Sequence, residues 1–299
     1  MTEPNRQTAL GFALRDAYPW PDLATLASVG EQLGFEALFL PEVGARDTLA
    51  ALAALAGVTD RMRLGTGVVP LPSRSPELLA MAAATVHECS GGRLLLGLGT
   101  GPSTRGALDR LRTTVLALRA AFGGVAGAVD GVEVRTGLAL PSPPEIWIAA
   151  LGPRATRMAG AIADGVLLNW CTPERVALAV EQITAGAAEA GRDRHDVTIA
   201  VYIRAPLVEG SGAAALRAAA DYAGYPAYRR QFEAMGLDPG DPDAIVRGVM
   251  LHDAAEAADR LTAYRAAGAD LPIVYPVIPL GAPSFAAAAE ILRLLAPNR

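Results

Sequence analysis

The sequence contains no lysine, and all 26 of its Lys and Arg positions are arginine. A chain without lysine offers no side-chain amine for Schiff-base or pyridoxal chemistry and no lysine for a Walker-type phosphate loop. The arginines are outnumbered by 31 acidic residues, which gives a formal net charge of -5, and they form no basic run. This pattern argues against nucleic acid and against an anionic membrane surface as the main partner.

Cysteine is also scarce, since only Cys89 and Cys171 are present. They lack the CxxC spacing of a thiolate metal site, and two residues make no disulfide framework. Residues 1–20 carry charges and lack the unbroken apolar core of a signal peptide. No segment approaches the roughly 18 uncharged apolar residues that cross a bilayer. These absences indicate a reducing compartment, and we expect a cytoplasmic protein.

Short apolar runs alternate along the chain with longer, Ala-rich stretches. The longer stretches have a helical period, begin at Ser, Thr or Pro and end at Gly, which is typical of capped helices. Apolar strands separated by helices indicate a parallel sheet buried on both faces, and eight such units in about 300 residues predict an α/β fold, a (β/α)8 TIM barrel. The predicted strands are residues 9–14, 37–42, 63–69, 93–99, 146–151, 165–170, 197–203 and 272–278.

One connection, from about residue 205 to 271, is far longer than the others. We predict that it adds helices over the barrel mouth, within a single domain that spans residues 1–299. An open doubly wound sheet is the structural alternative, because GLGTGP at 97–102 is similar to a dinucleotide fingerprint. Pro102 stands where that fingerprint needs a third glycine, which favours the barrel.

The active site of such a barrel lies at the C-terminal ends of its strands. The fifth predicted strand ends at Gly152-Pro153, and Arg154 follows in the first turn of a helix. Proline at the first helical position loses no useful N–H, so the next amides and the helix dipole form an anion pocket that Arg154 or Arg157 would strengthen. A phosphate would fit there. The alternative is that Gly-Pro makes only a tight turn.

Glycines interrupt the third and fourth predicted strands. Gly65 and Gly67 lie within the third strand, and Gly99 and Gly101 flank Thr100 at the end of the fourth. Isolated glycine in a strand marks a bulge or a close backbone approach. We interpret this pattern as room for a bulky planar ligand, with a crowded barrel interior as the alternative. The ends of the last three strands add Asn169, Trp170, Arg204 and Tyr275 to the mouth, without an assigned role.

Two carboxylates are candidates for proton transfer. Glu42 closes the second predicted strand, and Asp16 lies in the loop after the first. Each is either a proton donor and acceptor or a solvated loop acid. His87, His195 and His252 fall on or beside helices away from strand ends, so we predict that they are surface residues. No metal cluster and no GxSxG motif is present, which disfavours a hydrolase.

Three segments in order resemble the bacterial luciferase-like monooxygenase superfamily, and within it the oxidoreductases that use the deazaflavin coenzyme F-420. They are residues 31–42, residues 61–101 with their Ser-Gly-Gly-Arg turn, and residues 146–170. The resemblance covers most of the chain. It implies a barrel whose mouth holds an isoalloxazine-like ring against a bulge in strand three, where a non-proline cis peptide maps onto Gly67-Val68.

The resemblance also implies site residues. The cofactor phosphate would be held at residues 152–155. Many relatives follow the strand-two acid with a catalytic histidine, whereas Val43 follows Glu42 here, so we take Glu42 as the candidate proton relay and Asp16 as the second catalytic candidate. The implied cofactor-binding residues are Thr66, Gly67, Val68, Gly99, Thr100, Gly101, Ala150, Gly152, Pro153, Arg154 and Ala155.

The sequence therefore predicts an oxidoreductase that transfers a hydride between a deazaflavin, coenzyme F-420, and a small organic substrate. One alternative is an FMN-dependent luciferase-like monooxygenase on the same barrel. Another is a cofactor-free barrel that acts as a binding protein, with its pocket filled by side chains such as Trp170 or Tyr202. Some relatives are dimers, and the Ala-rich helices predicted at 47–57 and 76–88 would suit a homodimer. No motif names the substrate.

Overall fold

The computed structural model describes residues 9–102, 104–124, 127–134, 137–138, 140–281 and 283–297, with the backbone alone at 127 and 128. Both ends of the predicted domain, residues 1–8 and 298–299, lie outside this range. The strands are β1 (Gly11–Ala13), β2 (Ala37–Leu40), β3 (Arg63–Thr66), β4 (Val69–Pro70), β5 (Leu94–Gly99), β6 (Gly127–Val129), β7 (Val132–Val134), β8 (Glu145–Ala149), β9 (Gly165–Asn169), β10 (Thr198–Ala205) and β11 (Leu271–Pro276). The helices are α1 (Trp20–Gln32), α2 (Thr48–Leu55), α3 (Pro76–Cys89), α4 (Ala107–Phe122), α5 (Pro153–Ile162), α6 (Pro173–Glu189), α7 (Gly212–Ala223), α8 (Pro226–Ala234), α9 (Pro242–Val249), α10 (Ala257–Ala266) and α11 (Phe285–Leu294).

Nine of these strands form one parallel sheet in the order β3-β2-β1-β11-β10-β9-β8-β5-β4, and pairing of β3 with β5 closes it. The third predicted strand is broken at Gly67-Val68, whose peptide bond is cis, as the resemblance implies. β4 resumes the pairing with β5 beyond this break, so β3 and β4 count as one barrel strand. The eight-stranded (β/α)8 barrel is confirmed. β6 and β7 form a separate antiparallel hairpin between α4 and β8.

Large aromatic side chains fill the inside of the barrel. The ring of Phe39 lies 5.7 Å from that of Trp147 and 6.0 Å from that of Tyr202, centroid to centroid. A Cβ atom at Gly65 would lie 2.3 Å from the Phe39 ring, and one at Gly165 would lie 2.3 Å from the Trp147 ring. Interior crowding, rather than a bound ligand, therefore accounts for the glycine at position 65.

Side-chain caps begin several of the outer helices, at the predicted Ser and Thr positions and also at an aspartate. Asp47, Ser75, Thr172 and Ser284 each accept a hydrogen bond from a backbone N–H in the first turn of α2, α3, α6 and α11. Such caps are each worth about 1 kcal/mol. None of the helices that the structure describes combines the length and the hydropathy needed to cross a bilayer.

Four helices lie between β10 and β11. The last of them, α10, packs on β11 and α6, the position of a regular barrel helix. The other three, α7 to α9, bury their own apolar cluster, which includes Phe232 of α8 and Trp170 from the end of β9. This cluster joins the inserted helices to the C-terminal ends of the barrel strands.

Candidate active site

A cleft of about 770 Å³ opens at the barrel mouth between the strand ends and the inserted helices. Strand ends contribute Arg204 from β10 and Tyr275 from β11, and the loop after β1 contributes Arg15. The inserted helices contribute Tyr222 from α7 and Tyr228 from α8. The cleft thus lies at the face where a barrel of this kind carries its active site.

Arg204 forms the floor of this cleft and is only 6% exposed. Its Nη1 donates to Oδ1 of Asn169 at 2.8 Å. Its guanidinium carbon lies 4.0 Å from the ring centroid of Trp170, 4.8 Å from that of Tyr222 and 5.4 Å from that of Tyr275. Cation–π contacts of this kind are worth about 1 kcal/mol or more when they are desolvated. Together they hold the guanidinium in one orientation.

Gln231, which the sequence did not single out, ties α8 to the end of β9. Its Nε2 donates to the carbonyl oxygens of Asn169 and Trp170, each at 2.7 Å. Trp170 has a left-handed φ of 55°, which is uncommon for a residue other than glycine. The side-chain amide of Asn169 also donates to Oη of Tyr228 at 3.0 Å. The residues under the cleft are therefore fixed by hydrogen bonds from the insertion.

Burial keeps the phenols of the mouth in their protonated form. Burial raises the pKa of Tyr275 to about 12, although the Arg204 guanidinium opposes the shift. Burial also raises the pKa of Tyr202 and that of Tyr228 well above the ordinary tyrosine value. Oη of Tyr202 has no hydrogen-bond partner among the described residues. It lies against Gly67, where an added Cβ would come within 1.8 Å of it.

The break between β3 and β4 lies beside the end of β5, so the structure brings together the predicted residues at 66–68 and 99–101. Thr66 is buried and donates its hydroxyl to the carbonyl of Gly97 at 2.7 Å, so that hydroxyl is already used. Val68 covers Gly99, where a Cβ would lie 2.7 Å from Cγ2 of the valine. Thr100 is half-buried, and Gly101 has a φ of 67°.

The start of α5 is open, as the anion-pocket interpretation requires. Gly152 is the N-cap without a side-chain cap, and a Cβ there would meet no atom within 4 Å. Within the described part of the chain, the backbone N–H groups of Arg154 and Ala155 have no hydrogen-bond partner. Pro153 has no N–H, and the side chain of Arg154 is exposed. This corner presents two free amides at the positive end of a helix dipole.

Two other predicted residues near this corner are already engaged. The N–H of Ala150 donates to the carbonyl of Leu167 at 3.2 Å, and Ala150 is buried. Arg157 binds the carboxylate of Glu189 on α6, with its Nε at 2.8 Å from Oε2. Of the two arginines considered for the anion, Arg154 is therefore the available one.

Both predicted catalytic carboxylates hold the loop after β2 in place. Oδ2 of Asp16, which is buried, accepts hydrogen bonds from the backbone N–H groups of Val43 at 3.2 Å and Ala45 at 3.0 Å. Glu42 forms an ion pair with Arg74. These bonds give each acid a structural role, and their predicted roles in proton transfer stay predictions.

We expect Glu42→Gln to lower the free energy of unfolding by about 2 kcal/mol, because the change leaves the largely buried Arg74 guanidinium with only Asp47, 3.3 Å away, as its acid partner. Urea unfolding followed by circular dichroism measures the loss. Glu181→Gln, on the exposed face of α6, removes the same charge and should have no measurable effect. Equal stability of the two variants would contradict the structural role.

The prediction that all three histidines are surface residues is wrong for His87, which is 4% exposed. The cause is its place on the buried face of α3, where it follows Ala80, Ala83 and Ala84 at helical spacing. Burial lowers its pKa. His195 and His252 are exposed. No group of three or more His, Cys, Asp or Glu side chains in the described ranges is placed to hold a metal ion.

Residues 5–271 match the family model of luciferase-like monooxygenases. The chain belongs to this family. The luciferase-like chain is 33% identical over 194 residues to the 5,10-methylenetetrahydromethanopterin reductase of Methanolobus tindarius, a match that covers 60% of each protein. It is 29% identical over 242 residues to a putative coenzyme F-420-dependent oxidoreductase of Mycobacterium tuberculosis, a match that covers 71% of this chain and 70% of that protein.

A solved structure with a similar fold is described as an F-420-dependent secondary alcohol dehydrogenase in complex with an F-420–acetone adduct. The TM-score is 0.78 at 18% sequence identity, and the superposition covers 97% of this chain and 98% of the other. At this identity the similarity shows the fold of the luciferase-like chain and carries no assignment of its substrate.

Proposed function

We propose that this luciferase-like chain is an oxidoreductase that binds coenzyme F-420 at the barrel mouth and acts on a small organic substrate. One observation carries the proposal: the predicted cofactor residues lie on three neighbouring barrel strands, at the break between β3 and β4 and at the ends of β5 and β8. The names of the two matched relatives, one a reductase and one an F-420-dependent oxidoreductase, support it.

The residues at these strand ends fit a phosphate-bearing deazaflavin. The free amides of Arg154 and Ala155 and the exposed Arg154 side chain would hold the phosphate. The backbone at Gly67-Val68 and at Gly99 would support the ring, and the unpartnered Oη of Tyr202 lies buried against Gly67, directly behind this support. When bound, a deazaflavin supplies the ring carbon that gives or accepts the hydride.

In this proposal the protein binds and orients the cofactor and the substrate. The high pKa of Tyr202 keeps its hydroxyl protonated, so this buried group donates and does not act as a base at neutral pH. The interior layer of Phe39 and Trp147 closes the barrel below the mouth and excludes water from that side. The proton relay assigned to Glu42 stays part of the proposal.

The cofactor-free alternative would have its pocket filled by Trp170 or Tyr202. The Trp170 side chain packs into the cluster of the inserted helices, and an open cleft remains above it. Tyr202 lies within the barrel interior, with its hydroxyl under the strand break. These positions favour a protein that binds a ligand at the mouth.

The phosphate corner gives a direct test. We expect purified protein to bind coenzyme F-420 at least about tenfold more tightly than the same deazaflavin without its phosphate, because only the former reaches the α5 amides. Fluorescence titration measures both affinities. Arg154→Ala should weaken the binding of F-420 about fivefold to tenfold and leave the phosphate-free ring unaffected.

Arg157→Ala is the matched control, since this arginine lies on the same helix but binds Glu189. We expect it to leave F-420 binding unchanged. The same titration with FMN and riboflavin tests the monooxygenase alternative: saturable binding of FMN without binding of F-420 would replace the proposed cofactor. Binding of neither ring would favour the cofactor-free protein.

The homodimer and the cytoplasmic location stay predictions. Leu78 and Met81 of α3 are exposed apolar side chains on one of the helices predicted to form the dimer contact. Cys89 and Cys171 are both free. Sedimentation of the purified protein at several concentrations would establish its oligomeric state.

A further inference from the structure

The cleft faces the strand break across the barrel. In the closed order of eight barrel strands, β10 lies four positions from the interrupted strand in either direction. Tyr202 of β10 spans this distance, since its hydroxyl lies against Gly67. A ring supported by the break would therefore have the residues at the ends of β10 and β11 on its other side. This is where a substrate must lie to exchange a hydride with it.

Positive charge exceeds negative charge around this cleft. Arg15, Arg204 and Arg217 line it, and Asp221 is its only acidic lining residue in the described part of the chain. Asp221 lies 3.8 Å from Arg217, and both side chains are exposed, so this ion pair contributes little to the charge at the floor of the cleft or to stability. Arg15 has no hydrogen-bond or ion-pair partner among the described residues, which leaves a net attraction for an anion.

The Arg204 guanidinium is prepared to receive a carboxylate. Only its Nη1 has a hydrogen-bond partner in the described ranges, the Oδ1 of Asn169, and its remaining donors border the cleft. Contacts with the rings of Trp170 and Tyr222 fix the plane of the guanidinium. An arginine whose fork is held in one plane presents parallel donors that match the two oxygens of a carboxylate.

Aromatic rings form the walls around this cation. Tyr222 lies 4.7 Å from Tyr228 and 5.9 Å from Tyr225, each nearly edge to face. Tyr275, whose pKa burial raises to about 12, stands beside Arg204 as a protonated donor. Flat aromatic walls favour a planar ligand that stacks or packs edge-on against them.

We propose that this cleft binds the substrate as an aromatic carboxylate, with the carboxylate on Arg204 and Tyr275 and the aromatic ring against the tyrosines of α7 and α8. The assignment rests on the proposed function, because it takes the ligand of the cleft to be the substrate. It makes Arg204 a specificity-determining residue, since a neutral analogue of the same shape gains no ion pair from it.

Isothermal titration calorimetry with 2-naphthoate and 2-naphthamide tests the proposal on the purified protein. The two probes have the same ring and nearly the same size and differ in charge. We expect 2-naphthoate to bind at least about tenfold more tightly than 2-naphthamide, as for a charge-assisted pair in a partly buried site. Cyclohexanecarboxylate, which keeps the charge and loses the aromatic ring, should bind more weakly than 2-naphthoate.

Arg204→Gln should remove the preference for the anion and leave the weak binding of 2-naphthamide in place. Arg112→Gln removes the same charge from the exposed face of α4 and should change neither affinity. Circular dichroism reports whether each variant folds. If Arg204→Gln does not fold, Arg15→Gln decides instead: this residue is exposed, and its loss should weaken 2-naphthoate about threefold.

Equal affinities for the two probes in the unaltered protein would overturn the proposal, as would unchanged naphthoate binding in Arg204→Gln or, if that variant is unfolded, in Arg15→Gln. Competition between 2-naphthoate and coenzyme F-420 would also overturn it, because the cleft would then belong to the cofactor. Binding of naphthoate without any binding of F-420 would leave the anion site standing and defeat the proposed function alone. Binding of F-420 without binding of naphthoate would leave the proposed function standing and defeat the proposal of an aromatic carboxylate site.

Discussion

Trp147→Ala is expected to lower the free energy of unfolding by about 4 kcal/mol. Trp147 is 2% exposed inside the barrel, where its ring packs on Phe39 and against the backbone of Gly165. The surrounding strands are hydrogen-bonded into a closed ring, so they cannot collapse into the space that the indole leaves. The substitution also removes the hydrogen bond from Nε1 to Glu145.

Urea unfolding measured by far-UV circular dichroism gives this loss without relying on tryptophan fluorescence. Trp20→Ala is the matched control, because Trp20 lies at the start of α1 and is 37% exposed. We expect Trp20→Ala to lower the free energy of unfolding by less than about 1 kcal/mol. Similar losses in the two variants would mean that the barrel interior tolerates a cavity, and would contradict the packing described above.

Gly160→Ala should lower the free energy of unfolding by about 3 kcal/mol, because the backbones of α5 and α6 are in direct contact at this residue. A Cβ at Gly160 would lie 2.1 Å from the carbonyl oxygen of Ile183, and one at Gly186 would lie 1.9 Å from that of Arg157. Neither obstacle is a flexible side chain, so the helices must separate. Since α5 also carries the phosphate corner, F-420 binding should weaken together with stability.

The control for this change is Gly212→Ala, at the exposed first position of α7, where a Cβ meets no atom within 4 Å. Alanine favours helix more than glycine does, so we expect this variant to be as stable as the unaltered protein or slightly more stable. A thermal shift assay compares the two alanine variants. Full stability of Gly160→Ala would contradict the close contact of α5 and α6.

The barrel itself was predictable because strand and helix periods are local properties of the chain. The ends of the strands were harder to predict. The seventh predicted strand stops at residue 203, whereas β10 continues to Ala205. Arg204 pairs with Tyr275 of β11 in that extension. A charged residue ends an apolar run in the sequence, but here the aromatic rings and Asn169 accommodate it, and those partners lie far away in the chain.

The roles of glycines and acids depended on such distant partners. Nothing local distinguishes Gly160, which admits a neighbouring helix, from a glycine that merely breaks a pattern. Glu42 was a candidate for catalysis from its strand-end position, and its ion-pair partner Arg74 is 32 residues away. His87 is different, because the spacing of the alanines before it already indicates a buried helix face.

Gln231 donates hydrogen bonds to the end of β9 and Tyr228 accepts one from it, and these bonds bear on how ligands are selected. Because these bonds join α8 to the barrel rim, the spacing between α8 and the end of β9 is set by the folded scaffold. We therefore expect this side of the cleft to limit the size of the ligand as well as its charge.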